Sequence, residues 1–227
     1  MFKVQLIEDV CKIQQAIKED TSLIAVSKTR SLDEIKKVYD LGIRDFGENK
    51  VQELMTKIDN LNSDIRWHLI GHLQRNKVKY IVGKVFLIHS LDSIELLNEI
   101  EKQYALKNIV AKVLIQINIG NEESKTGIRV EKLEELLIAI KNCNNLEVMG
   151  LMATIPKGDE ESSNIYFSKM KRIFDELRDG NIKNVKMKYL SMGMSNDYKI
   201  ALNNGSNMIR VGEGIFGKRD YNNKQGE

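Results

Sequence analysis

Short runs rich in β-branched residues alternate, from one end of the chain to the other, with longer stretches whose apolar positions recur every three or four residues. The first kind has the length and composition of buried parallel strands, and the second has the period of amphipathic helices packed on them. Strands are predicted at residues 23–27, 43–47, 66–70, 85–89, 112–117, 148–153, 188–192 and 208–211. An opening helix is predicted at 4–18, and further helices at 50–58, 76–81, 94–104, 130–141, 160–178 and 196–203. Ser31 ahead of Asp33 and Glu34 marks one more helix start after the first strand, and Asp92 and Ser93 precede the helix that opens at Ile94.

Eight strand–helix units in 227 residues give about 28 residues per unit, the size of a lean barrel. The fold class predicted is therefore α/β: a single (β/α)8 TIM barrel with an extra N-terminal helix, one domain over residues 1–227. A doubly wound open sheet is the alternative. No composition break marks a second domain, and the one proline, Pro156, falls in a loop after a strand. The polar tail from Asp220 is expected to fray.

Composition removes several function classes. With 42% hydrophobic and 30% charged residues the chain has material for a core and a wettable surface. No stretch approaches the roughly 18 apolar residues of a membrane span, and Lys3, Glu8, Asp9 and Lys12 stand where a signal peptide would be apolar. A cytoplasmic protein with no membrane partner is expected. The 35 basic and 32 acidic residues are interleaved, so nucleic-acid binding gains little support, and Arg75, Asn76, Lys77 and Lys79 read as an exposed helix face. Cys11 and Cys143 sit in helical patterns and read as reduced packing residues. His68 and His72 lack the intervening glutamate of a helical zinc motif, so no metal is expected. No heptad seam is evident, and a monomer is the simplest expectation.

In barrels of this kind reactive groups come from the carboxyl ends of the strands. The first strand ends in Lys28, where an apolar wall would disfavour the ammonium and favour a nucleophilic amine. The second leads into Phe46-Gly47-Glu48-Asn49, and the third into Trp67-His68-Leu69-Ile70-Gly71-His72, an aromatic and two imidazoles alternating along a strand. A buried tryptophan and hydrogen-bonded histidines explain that run without any ligand, and His89-Ser90 is no more informative. The last two strands end in Ser191-Met192-Gly193-Met194-Ser195-Asn196-Asp197, with Ser195 placed to cap the next helix, and in Arg210-Val211-Gly212-Glu213-Gly214, a glycine-rich turn. Barrels commonly bind phosphate in the loops after strands seven and eight, and closure sets those loops beside strand one. An aldehyde bearing a phosphate would meet both ends, which describes pyridoxal 5′-phosphate and also a sugar-phosphate lyase intermediate.

The segments Ala25-Val26-Ser27-Lys28-Thr29-Arg30, Phe46-Gly47-Glu48-Asn49, Trp67 to Gln74, Ser191 to Asp197 and Arg210 to Gly217 together resemble the YggS/PROSC family of pyridoxal phosphate homeostasis proteins. The resemblance runs in order over nearly the whole chain. It implies an alanine-racemase-type barrel holding pyridoxal 5′-phosphate as an internal aldimine on Lys28. It further implies that Ser195 and Gly212 bind the phosphate, that Arg210 faces the pyridine nitrogen and that Asn49 lies beside the ring. Relatives carry a proline where this chain has Ser31, a change a capping side chain absorbs. Racemases of this type add a β-rich domain and a tyrosine acid/base from a partner, for which the chain leaves no room, so a binder without turnover that supplies apo-enzymes is expected. An amino-acid racemase and a Schiff-base sugar-phosphate lyase remain the alternatives.

Overall fold

The alternation of apolar positions along each strand divides the interior into two layers, and a closed ring of strands is what lets both be buried. The computed structural model describes residues 2–123 and 125–218, with side chains from residue 5; the fraying expected from Asp220 lies outside the described residues. Strands β1 (Ser22–Val26), β2 (Asp45–Glu48), β3 (Arg66–Leu69), β4 (Leu87–Leu91), β5 (Ala111–Gln116), β6 (Leu146–Met152), β7 (Val185–Ser191) and β8 (Met208–Val211) pair in sequence order into a closed parallel barrel. Leu23 pairs with Ile209 and Ile24 with Arg210 where β1 meets β8, so the first and last strands are neighbours, as barrel closure predicts.

Residues of one phase face the barrel axis. Ile24, Leu87, Leu114, Met149, Met152 and Met208 form an apolar cluster there. Leu23, Ala25, Phe46, Trp67, Leu69, Ile88 and Ile209, of the other phase, join the larger core beneath the helices. Helices α1 (Phe2–Ala16), α2 (Leu32–Asp40), α3 (Val51–Ile58), α4 (Val78–Ile81), α5 (Ile94–Ala105), α6 (Leu133–Lys141), α7 (Glu160–Asp179), α8 (Tyr198–Asn203) and α9 (Glu213–Phe216) close this outer layer. The extra N-terminal helix is α1, which buries Leu6, Val10 and Ile13 on one face and contacts α9.

Local chemistry sets where helices begin. Ser31 and Glu34 form a capping box: the Glu34 N–H donates to Ser31 Oγ at 3.3 Å and the Ser31 N–H to Glu34 Oε2 at 2.8 Å, the start signal that the sequence predicts there. Ser93 caps α5 and Asp159 caps α7 in the same way, each accepting from the N–H three residues on. Several sequence expectations shift. β4 starts two residues late, and β7 starts three residues early because the exposed Lys186 and Lys188 alternate with half-buried Val185 and Met187. The turn after β8 winds into the short helix α9. Cys143 is buried as expected, but Cys11 is exposed, on the face of α1 opposite Val10 and Ile13. Arg75, Asn76 and Lys79 lie exposed on a 3-10 turn and α4, as a solvated face. No helix among the described residues is long and apolar enough to cross a membrane, and no cluster of three or more metal-ligating side chains occurs among them.

Candidate functional site

A cavity of about 700 Å³ opens at the carboxyl ends of the strands, and Lys28, Ser195, Arg210 and Gly212 all line it. Four residues separated by up to 184 positions in sequence meet because β1 closes onto β8. Val26 and Lys28 line the cavity in phase with Ile24, which belongs to the apolar cluster on the barrel axis. Asn49 does not line the cavity. The pairing of Val26 with Gly47 puts it level with Lys28 on the adjoining strand, its backbone pressed against Gly71, where a Cβ would fall 2.5 Å from the Asn49 carbonyl oxygen.

The turn that carries Lys28 is gripped from outside the barrel. Lys57 Nζ, on α3, donates to the Ser27 carbonyl at 2.8 Å, to Glu48 Oε1 at 2.7 Å and to Glu53 Oε1 at 2.7 Å. Glu53 Oε1 also accepts the Thr29 N–H, and Ser27 Oγ donates to Glu48 Oε1 at 2.5 Å. Thr29 has φ of 66°, a left-handed conformation unusual for a β-branched residue, so the grip holds a strained turn. Burial pushes the Glu48 carboxyl above its ordinary range against the pull of Lys57, and its Oε2 has no hydrogen-bond partner. Arg30 joins the two ends of the ring: its guanidinium donates to the Gly217 carbonyl and lies 5.4 Å from the Phe216 ring centroid.

Opposite Lys28, the Gly212 and Gly214 N–H groups donate to Ser195 Oγ at 3.3 and 3.2 Å. Ser195 therefore does not cap the next helix as its sequence position suggested. The cap residue of α8 is Asp197, without a side-chain cap bond, because its Oδ1 accepts the Met194 N–H instead. The glycines keep the cradle open: a Cβ on Gly214 would come within 2.8 Å of Val211 Cγ1 and 3.7 Å of Ser195 Oγ. Two N–H groups converging beside a hydroxyl and a nearby lysine suit a phosphate.

Arg210 is buried beneath this cradle. Its guanidinium donates to Ser191 Oγ at 2.7 Å and to the Ala153 carbonyl at 2.9 Å. Burial pulls it down to about 10, against the attraction of Asp197, which leaves a cation at neutral pH. Sequence reasoning missed two contributors. The β6–α7 loop brings Ile155, Pro156, Lys157 and Gly158 to the cavity wall, for which Pro156 after a strand was the available signal. His89, passed over in the sequence, is fully buried and touches both Ser191 and His68. Of the expected run 67–72, Trp67 packs in the outer core against Phe46, whereas His72 lies beyond β3, its side chain 52% exposed and 3.3 Å from Asp92.

The closed barrel and its lysine-and-glycine mouth define a class, that of the alanine racemase N-terminal domain, a family matched over residues 5–220. The pyridoxal phosphate homeostasis protein of Aquifex aeolicus is 41% identical over 221 residues, covering 96% of each chain. The structure of PipY from Synechococcus elongatus with PLP bound superposes at TM-score 0.85 with 30% identity, over 93% of this chain and all of that one. An alanine racemase of Clostridium difficile superposes at TM-score 0.79 but is 13% identical and covered over 57% of its length, a likeness of fold alone. The chain belongs to the pyridoxal phosphate homeostasis protein family.

Proposed function

We propose that this protein binds pyridoxal 5′-phosphate reversibly at the barrel mouth and serves its intracellular homeostasis, holding and releasing the cofactor without turnover of its own. The observation that carries the reading is the convergence in one cavity of a half-buried lysine, a buried guanidinium and a glycine-lined N–H cradle. When bound, pyridoxal phosphate supplies an aldehyde that condenses with a primary amine and releases water. Lys28 provides that amine from a turn held by Lys57 and Glu53. Ser195 and the N–H groups of Gly212 and Gly214 provide the phosphate donors. Arg210 would meet the pyridine nitrogen; a guanidinium only donates, so that nitrogen would stay an unprotonated acceptor and the ring a weaker electron sink. Such a ring suits storage better than carbanion chemistry. Asn49, level with Lys28 but outside the cavity lining, would reach the ring only with its side chain turned inward.

In this reading residues 1–227 work as one domain, a cytoplasmic monomer that hands the cofactor to apo-enzymes. The Aquifex aeolicus relative named for homeostasis is 41% identical over 96% of each chain, and this supports the binder over the racemase. Titration with pyridoxal phosphate is expected to raise a visible absorbance band in the wild type that Lys28→Ala lacks, with no turnover of any amino-acid enantiomer. Turnover near about 10 per second would establish the racemase instead. Borohydride trapping of a sugar phosphate, with no cofactor colour, would establish the lyase.

A further inference from the structure

The barrel lumen holds a line of polar side chains that cofactor attachment does not itself require. Asp45, His68, His89, Ser191 and Arg210 come from β2, β3, β4, β7 and β8, and all are buried. Arg210 donates to Ser191 Oγ at 2.7 Å; Ser191 Oγ lies 3.3 Å from His89 Nδ1, His89 Nε2 3.0 Å from His68 Nδ1, and His68 Nε2 2.9 Å from Asp45 Oδ1. Arg66 caps the far end, donating from Nε to Asp45 Oδ1 at 2.8 Å and from its terminal nitrogen to Oδ2 at 2.5 Å.

The direction of every proton follows from the two ends. Burial raises the Asp45 carboxyl, but the Arg66 and His68 hydrogen bonds outweigh it and hold the group ionised below its ordinary range. A carboxylate only accepts, so His68 Nε2 carries a proton. Burial keeps His68 neutral, so its Nδ1 accepts, and His89 must donate from Nε2. His89 is held well below its ordinary value by burial and then by the charges of His68 and Arg210, so its Nδ1 accepts the Ser191 hydroxyl proton. Arg210, a permanent donor, closes the line. Each link therefore donates from mouth to floor. Aligned hydrogen bonds polarise one another in a low dielectric. The hydrogen-bond partners of the guanidinium, Ser191 and the Ala153 carbonyl, are neutral oxygens; Asp197 attracts it through space, and the line joins it to Asp45 four bonds away.

We propose that His89, His68 and Asp45 are positioning residues for the cofactor: a one-way hydrogen-bond line that runs from Arg210 to the Asp45–Arg66 pair at the barrel floor and fixes the guanidinium for the pyridine nitrogen. The cofactor half of this statement rests on the reading given under Proposed function; the line itself is a property of the cofactor-free protein.

Two measurements on the full chain test it. Nitrogen-15 NMR of the cofactor-free wild type is expected to show both imidazoles neutral at pH 7 with the proton on Nε2; a proton on Nδ1 of either ring, or a charged ring, would overturn the line. Asp45→Asn, at the floor and outside the cavity, is expected to raise the dissociation constant for pyridoxal phosphate roughly fivefold to tenfold, the worth of one hydrogen bond, and to move the visible band. Inorganic phosphate, read by competition, should bind that variant as it binds the wild type. A lower melting temperature with unmoved band and affinity would reduce Asp45 to a structural residue and overturn the proposal. Should the wild type show no band at all, the cofactor reading fails, and with it the cofactor half of the proposal, while the NMR result still decides the line.

Discussion

The cluster of Glu48, Glu53 and Lys57 lies between the barrel and α3, whereas Asp45, His68, His89 and Ser191 lie inside the lumen; both reach the mouth, from opposite sides of β2. The outer cluster is made of full charges and grips main chain, the Ser27 carbonyl and the Thr29 N–H on either side of Lys28. The inner line passes through two neutral imidazoles and grips a side chain, the Arg210 guanidinium. Breaking the first leaves a buried charge alone and is foremost a stability event. Breaking the second leaves the fold's apolar layers intact and changes the electrostatics at one donor. The same mouth is thus held twice, once at the main chain of the Lys28 turn and once at the Arg210 guanidinium.

The largest expected effect breaks the outer cluster. Lys57→Met strands Glu48, fully buried and already short of a partner at Oε2, and should lower unfolding free energy by about 3–5 kcal/mol in urea titration. An unchanged midpoint would show that Glu48 is protonated in the fold and that the grip on the Lys28 turn is not ionic. Ser195→Ala touches neither network and sharpens the contrast. It should weaken pyridoxal phosphate binding by about 1.5–3 kcal/mol, as for a lost hydrogen bond to a charged group, and cost about 1 kcal/mol or less in stability. Equal losses in both measurements would reassign Ser195 from ligand anchor to structural bond.

Acid should strike the inner line. His68 and His89 stay neutral in the fold below their ordinary value of 6.5, so the unfolded chain binds more protons as pH falls from that value. Stability is fully present above the unfolded value and declines as pH drops through 6.5 toward the folded values, by up to about 1.4 kcal/mol per pH unit for each histidine. Melting temperatures between pH 7.5 and 5 read this slope. The slope should shrink in a His89→Leu variant; a flat profile in the wild type would mean that both rings take up protons in the fold as they do in the unfolded chain, and a stability that rises on acidification would mean that they are held charged.

The eight strands were legible in the sequence because period and β-branched composition are local, and their ends moved by a few residues where packing decided, as at Leu87 and Val185. Lys28, Ser195, Arg210 and Gly212 were legible as strand-end residues, and barrel closure alone made them neighbours. The lumen line was not legible. Asp45, His68, His89 and Ser191 span 146 positions on four strands, and only the closed barrel brings them into line. Nothing local distinguishes His68, inside, from His72, outside. Ser195 misled because a serine ahead of a helix is a good cap by propensity, yet two glycine N–H groups across the seam take its oxygen.

Intact mass of the protein saturated with pyridoxal phosphate, before and after borohydride, tests the central claim most directly. The account predicts one irreversible adduct per chain after reduction, mapped by peptide digestion to Lys28 and missing in Lys28→Ala. An adduct on Lys157 or another lysine in place of Lys28, or no adduct in a folded wild type, would contradict it.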